Sequence, residues 1–165
     1  MLTNDLLCDA FERISGVVHN TLDGLNESDL VFRPSNEANS IAWLVWHLTR
    51  VQDNHFSEFR GTNQVWDKYY ELFEKPYSKS ATGYGQSPQA VASFRANTDL
   101  LIKYFDEVNT ETTKYISTLK DTDYKKIVDK RWDPPVTLAA RIVSVLSDDL
   151  QHAGQAAYIK GLIKN

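Results

Sequence analysis

The chain has 165 residues, of which 42% are hydrophobic and 12% aromatic, enough to form one domain with a substantial core. A net charge of −4 argues against a nucleic-acid partner, and no apolar run reaches the ~20 residues of a membrane span. The start Met1–Asp5 lacks the basic and apolar regions of a signal peptide, so we expect a single cytoplasmic domain over residues 1–165.

The first predicted helix runs from Thr3 to about Leu25, because apolar residues recur there at helical spacing. Cys8 falls on this helix, and because it is the single cysteine an internal disulfide is excluded. Packing explains Cys8 better than a reactive thiol does. His19 lies near the end of the helix, where the helix dipole favours a cation, and we expect no further role for it.

The second predicted helix spans Ser40–Phe59, with Ser40 as its N-cap and Gly61 as its stop signal. His47 lies at the edge of its apolar stripe, and a buried histidine needs a polar or metal partner. His55 follows two turns later, about 12 Å along the axis, too far away to share an ion with His47. We therefore interpret His55 as a partly exposed helix-end residue.

The connection over residues 62–86 is unusually long and aromatic. A short helix is predicted around Val65–Phe73, and the sequence TGYG at 82–85 predicts a tight turn. Connections of this length are usually functional or cross from one end of a bundle to the other. Its aromatic residues either pack the loop, the favoured interpretation, or wall a ligand pocket: Trp66, Tyr69, Tyr70, Tyr77 and Tyr84.

Two more helices complete the predicted fold. The third begins at Ser87-Pro88, a cap followed by proline at the first helical position, and continues to about Leu119. The fourth follows Pro134-Pro135 and extends to about Gly161, after a polar connection over residues 120–136. Four long helices predict an all-α, four-helix bundle with a long connection between its second and third helices.

The fourth helix turns acidic and imidazole groups toward its apolar face. Asp148 and His152 are four residues apart and project side by side, and His47 can approach them from a facing helix. Three such ligands with an open position are typical of a catalytic metal site, and they suit Zn²⁺, Ni²⁺ or Fe²⁺. Asp149 has a compatible spacing and lies nearer the stripe centre, so periodicity slightly favours it over Asp148. A core Asp–His hydrogen bond without metal is the alternative.

Three motifs resemble the DinB-like family. They are W-H-L within Asn39–His55, D-x-x-x-H-x-G-Q within Arg131–Gly161, and the TGYG stretch between helices. The chain is also similar, over essentially its whole length, to the N-terminal domain of mycothiol-dependent maleylpyruvate isomerase. The resemblance implies a four-helix bundle that holds a divalent metal through three side chains. At the matching positions these are His47, Asp148 and His152, with Asp148 standing where the commoner ligand set has a third histidine.

The resemblance also implies an activity. Such proteins are often S-transferases or isomerases that use mycothiol, bacillithiol or glutathione, and a metal would lower the pKa of that thiol before it attacks a small electrophile. Zinc is the first expectation, with nickel or iron as alternatives, and a homodimer is compatible with the family. Arg50 and Arg131 could hold a carboxylate of the thiol, but ordinary surface charge is the favoured interpretation.

Two other classes of function stay open. A metal ion could activate water for hydrolysis, with Asp149 as the one apparent general base. The chain could equally be a non-catalytic helical domain that binds a small ligand or a protein partner.

Overall fold

The computed structural model describes residues 2–74 and 77–164. Four long helices form its frame: α1 (Thr3–Leu22), α3 (Ile41–Arg60), α6 (Thr98–Thr118) and α7 (Leu138–Lys164). Three short helices and two short strands lie in the connections: α2 (Glu27–Val31), α4 (Trp66–Tyr69), α5 (Pro88–Ala92), β1 (Ile127–Asp129) and β2 (Val136–Thr137).

The long helices pack as a four-helix bundle. Helix α7 contacts α1 and α3, and α6 contacts the same two helices from the opposite side. The predicted all-α bundle is therefore confirmed, together with the long connection between α3 and α6. None of the helices over the described residues is both long and apolar enough to cross a membrane.

Helix α3 begins and ends where the sequence predicts. The Ser40 side chain accepts a hydrogen bond from the Trp43 backbone N–H, and Gly61 closes the helix in the left-handed conformation, with φ of 64°. The residues between are buried along most of the helix, because the bundle covers one side and the aromatic connection covers another.

Two predicted helix boundaries are wrong. The first helix ends at Leu22 rather than Leu25, since the chain turns at Gly24 with a positive φ of 69°. The third is not continuous from Ser87: the Ser87-capped α5 stops at Ala92, and α6 starts afresh at Thr98. Asn97 explains the restart, because its side chain accepts from the Leu100 N–H as an N-cap.

The aromatic connection packs against α3 instead of standing away from it. Trp46 of α3 lies 5.1 Å from Tyr77 and 5.0 Å from Phe94, measured between ring centroids. Helix α4 and the 3₁₀ turn Tyr70–Leu72 match the short helix predicted there. Packing is thus the main role of most of these rings.

Buried polar groups fasten this connection to α3. Asp53 accepts hydrogen bonds from the backbone N–H groups of Val65 and Trp66, at 3.0 and 2.7 Å. Arg50 donates to the Ala81 carbonyl at 3.1 Å and is only 1% exposed. The interpretation of Arg50 as surface charge is therefore wrong: a guanidinium is buried here because backbone and side-chain acceptors satisfy it.

A small hairpin precedes α7, where the sequence indicated only a polar connection. Strands β1 and β2 pair antiparallel, with Ile127 opposite Thr137 and Asp129 opposite Val136. The hairpin places Asp129 against the first turn of α7, where the carboxylate accepts from Arg141 at 2.7 Å.

Candidate metal centre

The fold brings His47, Asp148 and His152 together. His47 comes from α3, and the other two come from one face of α7. One ligand atom from each lies within 4.8 Å of the others, and the two imidazole centroids are 4.8 Å apart. All three residues selected from the sequence therefore share one small volume between two helices.

His47 is held in one tautomer by the TGYG turn. Its Nδ1 lies 2.5 Å from the Thr82 carbonyl oxygen, and a carbonyl can only accept, so Nδ1 carries the proton. Nε2 is then the atom with a free lone pair. Trp43 stacks on the ring at 4.6 Å, and burial is the main cause of a lowered pKa for His47. The neutral, metal-binding form is thus favoured.

Gly83 allows the turn to approach this ring. Its φ is +110°, and a Cβ added there would lie 2.3 Å from Nδ1 of His47. Any side chain would displace either the turn or the imidazole. The glycine of the TGYG motif is therefore required by close approach as well as by backbone conformation.

His152 is oriented by a glutamine one turn further along α7. Its Nδ1 donates to Oε1 of Gln155 at 2.9 Å, and its Nε2 lies 3.6 Å from Oδ1 of Asp148. Burial alone would lower the pKa of His152, but Asp148 and Gln155 outweigh that effect and raise it. Gln155 is the last residue of the D-x-x-x-H-x-G-Q motif, which gives that position a physical role.

Asp149 occupies a different environment from Asp148. It is fully buried, and neither of its carboxylate oxygens accepts a hydrogen bond from the described residues. Burial, and then the neighbouring Asp148 charge, raise the pKa of Asp149 well above its usual value. Periodicity correctly placed Asp149 deeper in the core, but Asp148 is the carboxylate that lies beside the two imidazoles.

The donor set fits a divalent cation. Both histidines have Nδ1 engaged and Nε2 available, an arrangement that outer hydrogen bonds impose on metal-ligating histidines. Asp148 adds a carboxylate whose buried Oδ2 accepts no hydrogen bond from the described part of the chain. Two imidazoles and one carboxylate suit Zn²⁺, Ni²⁺ or Fe²⁺ and leave coordination positions for another molecule.

One aromatic residue of the connection contacts the candidate centre. Tyr84 is 67% exposed and meets the His47 ring edge-on at 5.3 Å. Trp66, Tyr70 and Tyr77 instead contact rings of the core, and Tyr69 packs on Tyr104. Of the five predicted pocket residues, Tyr84 is therefore the one that contacts the site.

The remaining candidates lie elsewhere. His55 is half-buried on Phe59 and does not join the ligand cluster. His19 pairs with Asp106 at 2.7 Å. Cys8 donates to the Thr113 carbonyl, and burial is the main cause of its raised pKa, as expected for a packing thiol. Arg131 pairs with Asp129 on the hairpin.

Comparisons with known proteins agree with this fold. A family model described as mycothiol-S-transferase matches residues 6–165. The solved structure of a conserved protein from Enterococcus faecalis is similar, with a TM-score of 0.88 and 25% sequence identity, over 97% of this chain and 96% of that one. No curated protein matches the sequence.

Proposed function

This chain belongs to the mycothiol-S-transferase family, and on that premise we propose that it transfers a low-molecular-weight thiol to a small electrophile at a divalent metal. The metal ligands in this proposal are His47, Asp148 and His152. The observation that carries it is the convergence of one nitrogen from each imidazole and a carboxylate oxygen within 4.8 Å, with each Nδ1 already engaged in a hydrogen bond.

The residues around the site support this chemistry. When bound, the cation would lower the pKa of a nearby thiol, and thiolate is the nucleophile in such transfers. Thr82 and Gln155 hold the two imidazoles in the tautomer that exposes Nε2. Trp43 covers one face of His47, while the exposed Tyr84 meets the same imidazole edge-on.

The balance of the proposed reaction is simple. The thiol loses its proton to solvent, and sulfur forms a bond to the electrophilic atom. A leaving group departs with its bonding electrons where the electrophile carries one, and where it carries none the adduct takes up a proton from solvent. Mycothiol, bacillithiol and glutathione all remain candidate thiols, and zinc is the first candidate metal, with nickel or iron as alternatives.

Metal-dependent hydrolysis has less support. It needs a general base beside the attacking water. Asp149, the base suggested by the sequence, is fully buried, and its raised pKa favours the protonated acid. If the chain is instead a non-catalytic binding domain, no thiol should support turnover, so an assay of thiol transfer also tests this alternative.

Metal content is the first test of the proposal. His47→Ala and His152→Ala are expected to bind zinc more than about a hundredfold more weakly than the wild type, since outer-shell partners alone contribute about 10- to 100-fold. Zinc titration measures this change in affinity, and elemental analysis of protein purified without chelator measures how much metal each variant retains. His55→Ala is the matched control, because it removes a half-buried histidine of the same helix from outside the cluster.

The two aspartates provide a second comparison. Asp148→Ala should lose more metal than Asp149→Ala, and the reverse order would show that the wrong carboxylate has been assigned. Activity is then measured as loss of a bimane or chlorodinitrobenzene electrophile in the presence of each thiol. Wild-type metal content in His152→Ala, or turnover independent of thiol, would contradict the proposal.

A further inference from the structure

A cleft with basic walls lies next to the candidate metal centre. It has a volume of about 410 Å³ and opens between the end of α3, the β1–β2 hairpin and the first turns of α7. Three basic residues line it: Lys130, Arg131 and Arg141.

The Asp129 carboxylate forms hydrogen bonds with two of these cations. Asp129 accepts from Nε and Nη2 of Arg131 at 2.9 and 2.8 Å, and from Nη2 of Arg141 at 2.7 Å. Arg141 is mostly buried, with 17% of its side chain exposed. Its Nε and Nη1 donate to no acceptor among the described residues, so a fixed guanidinium keeps donors for a ligand.

The charges of the cleft do not cancel. Asp129 and Glu58 supply two negative charges against three positive ones from Lys130, Arg131 and Arg141. The His55 ring also lines the cleft, and its pKa is lowered by burial first and by Arg141 next, so it is expected to be neutral. The cleft therefore has a net positive charge although the whole chain is acidic.

Apolar surface lies between these charges. Phe59 and Val128 line the same cleft, which gives it the mixture of apolar wall and few polar groups that small-molecule sites share. Lys130 adds a third cation to the two that Asp129 already pairs, Arg131 and Arg141.

The cleft lies within reach of the metal ligands. Arg141 precedes Asp148 by seven residues on α7, about 10 Å along the axis. His55 of the cleft follows His47 by eight residues on α3, about 12 Å along the axis, so the two helices that carry the candidate ligands also wall the cleft. A thiol cosubstrate as long as two extended peptide residues spans about 7 Å, and the long side chain of Arg141 covers the rest of the distance.

We propose that this cleft binds a carboxylate of the cosubstrate thiol, so that this protein uses an anionic thiol, with Arg141 as the main contact. The inference rests on the proposed thiol transfer and specifies its substrate class: among the candidate thiols it favours glutathione and bacillithiol over mycothiol, which has no carboxylate. The sulfur lies at the metal centre while the carboxylate, several bonds away, pairs with the guanidinium. Such charge-assisted hydrogen bonds are stronger than neutral ones.

Three probes test the cleft by direct binding, measured by calorimetry on the zinc-loaded protein. Glutathione carries carboxylates, glutathione diethyl ester has the same sulfur without them, and S-methylglutathione keeps the carboxylates but cannot supply a thiolate. Glutathione should bind more tightly than its ester, because the two differ only in the carboxylates, and S-methylglutathione should still bind although it cannot form a thiolate. Arg141→Gln should weaken binding of the two probes with carboxylates by about tenfold, a typical loss for one charge-assisted contact, and leave the ester unchanged.

Two further variants control for folding and charge. Arg131→Gln keeps the Asp129–Arg141 pair and should cause a smaller loss, since its side chain is 85% exposed. Arg13→Gln removes an exposed arginine of α1 and should change nothing. Equal affinity for charged and esterified probes, including no binding of either, would overturn the inference, and so would equal weakening of both by Arg141→Gln.

Turnover separates the two proposals. Conjugation that proceeds equally well with glutathione and with uncharged N-acetylcysteamine would refute the anionic cleft and leave thiol transfer intact. Tight binding of S-methylglutathione that depends on Arg141, without conjugation of any thiol, would refute the transfer and retain the cleft.

Discussion

At the residue scale, the orientation of His47 depends on a backbone carbonyl and on a glycine that has no side chain to keep that carbonyl away. The Thr82 oxygen fixes the proton on Nδ1, and Gly83 lets that oxygen come close enough to do so. The ligand set therefore extends beyond the residues that could touch a metal. A turn in a connection about 35 residues further along the chain is part of it.

Gly83→Ala tests this dependence. The added Cβ would collide with the imidazole, so we expect zinc to bind about 10- to 100-fold more weakly, the usual cost of losing an outer-shell partner. Gly85→Ala is the matched control: it introduces the same kind of backbone strain at φ of 69°, but its Cβ meets nothing within 4 Å. Zinc titration of both variants, with circular dichroism as the check on folding, measures the difference. Identical affinities would contradict the role of Gly83.

At the element scale, the β1–β2 hairpin depends on a single carboxylate. The hydrogen bonds of Arg131, followed by the charge of Arg141, hold the pKa of Asp129 well below its usual range. The hairpin is only two to three residues long on each side, so backbone pairing alone stabilises it weakly. Asp129 connects it to both its own turn and α7.

The contacts of Asp129 with the hairpin turn and with α7 should be lost in acid. Because the folded-state pKa of Asp129 is depressed, its stabilisation is complete above the unfolded pKa of about 3.9 and is lost as the pH falls through the folded value. Amide signals of the hairpin, followed by NMR from about pH 5 to about pH 2, should therefore shift before those of the long helices. In Asp129→Asn they should be perturbed already at neutral pH, with little further change in acid. A hairpin of Asp129→Asn that resembles the wild type would refute this prediction.

Features set by local sequence, such as helix ends, could be predicted, whereas features that depend on tertiary contacts could not. The ends of α3 followed from Ser40 and Gly61, whereas the hairpin was missed because its strands are too short to show alternation. The burial of Arg50 could not be predicted, since its acceptors lie on a distant connection. Periodicity measures depth in the core, so it favoured Asp149, whereas the structure places Asp148 in the cluster with the two imidazoles.

At the scale of the whole molecule, the candidate centre joins the two halves of the bundle. It takes one ligand from α3 and two from α7, and the connection before α5 supports it from outside. A cation that binds this arrangement and not the unfolded chain must stabilise the entire fold. Metal content and stability are thus expected to change together.

Thermal unfolding with and without zinc tests this coupling. At a free zinc concentration about a hundred times Kd, the folded state gains about 2.7 kcal/mol, and a domain of this size should melt about 5–10 °C higher. His152→Ala should show no such increase, while His55→Ala should respond as the wild type does. An equal increase in His152→Ala would mean that zinc stabilises the protein from another site.

The separation of the ligands along the chain has a consequence for how the protein matures. About 100 residues lie between His47 and Asp148, and both acquire their relative position only when α7 docks on α3. During synthesis, a ribosome that has made the first three long helices still has none of the α7 ligands outside its tunnel. A metal ion that binds all three candidate ligands can therefore do so only after α7 has been made, and a chain arrested before α7 cannot assemble this three-ligand site.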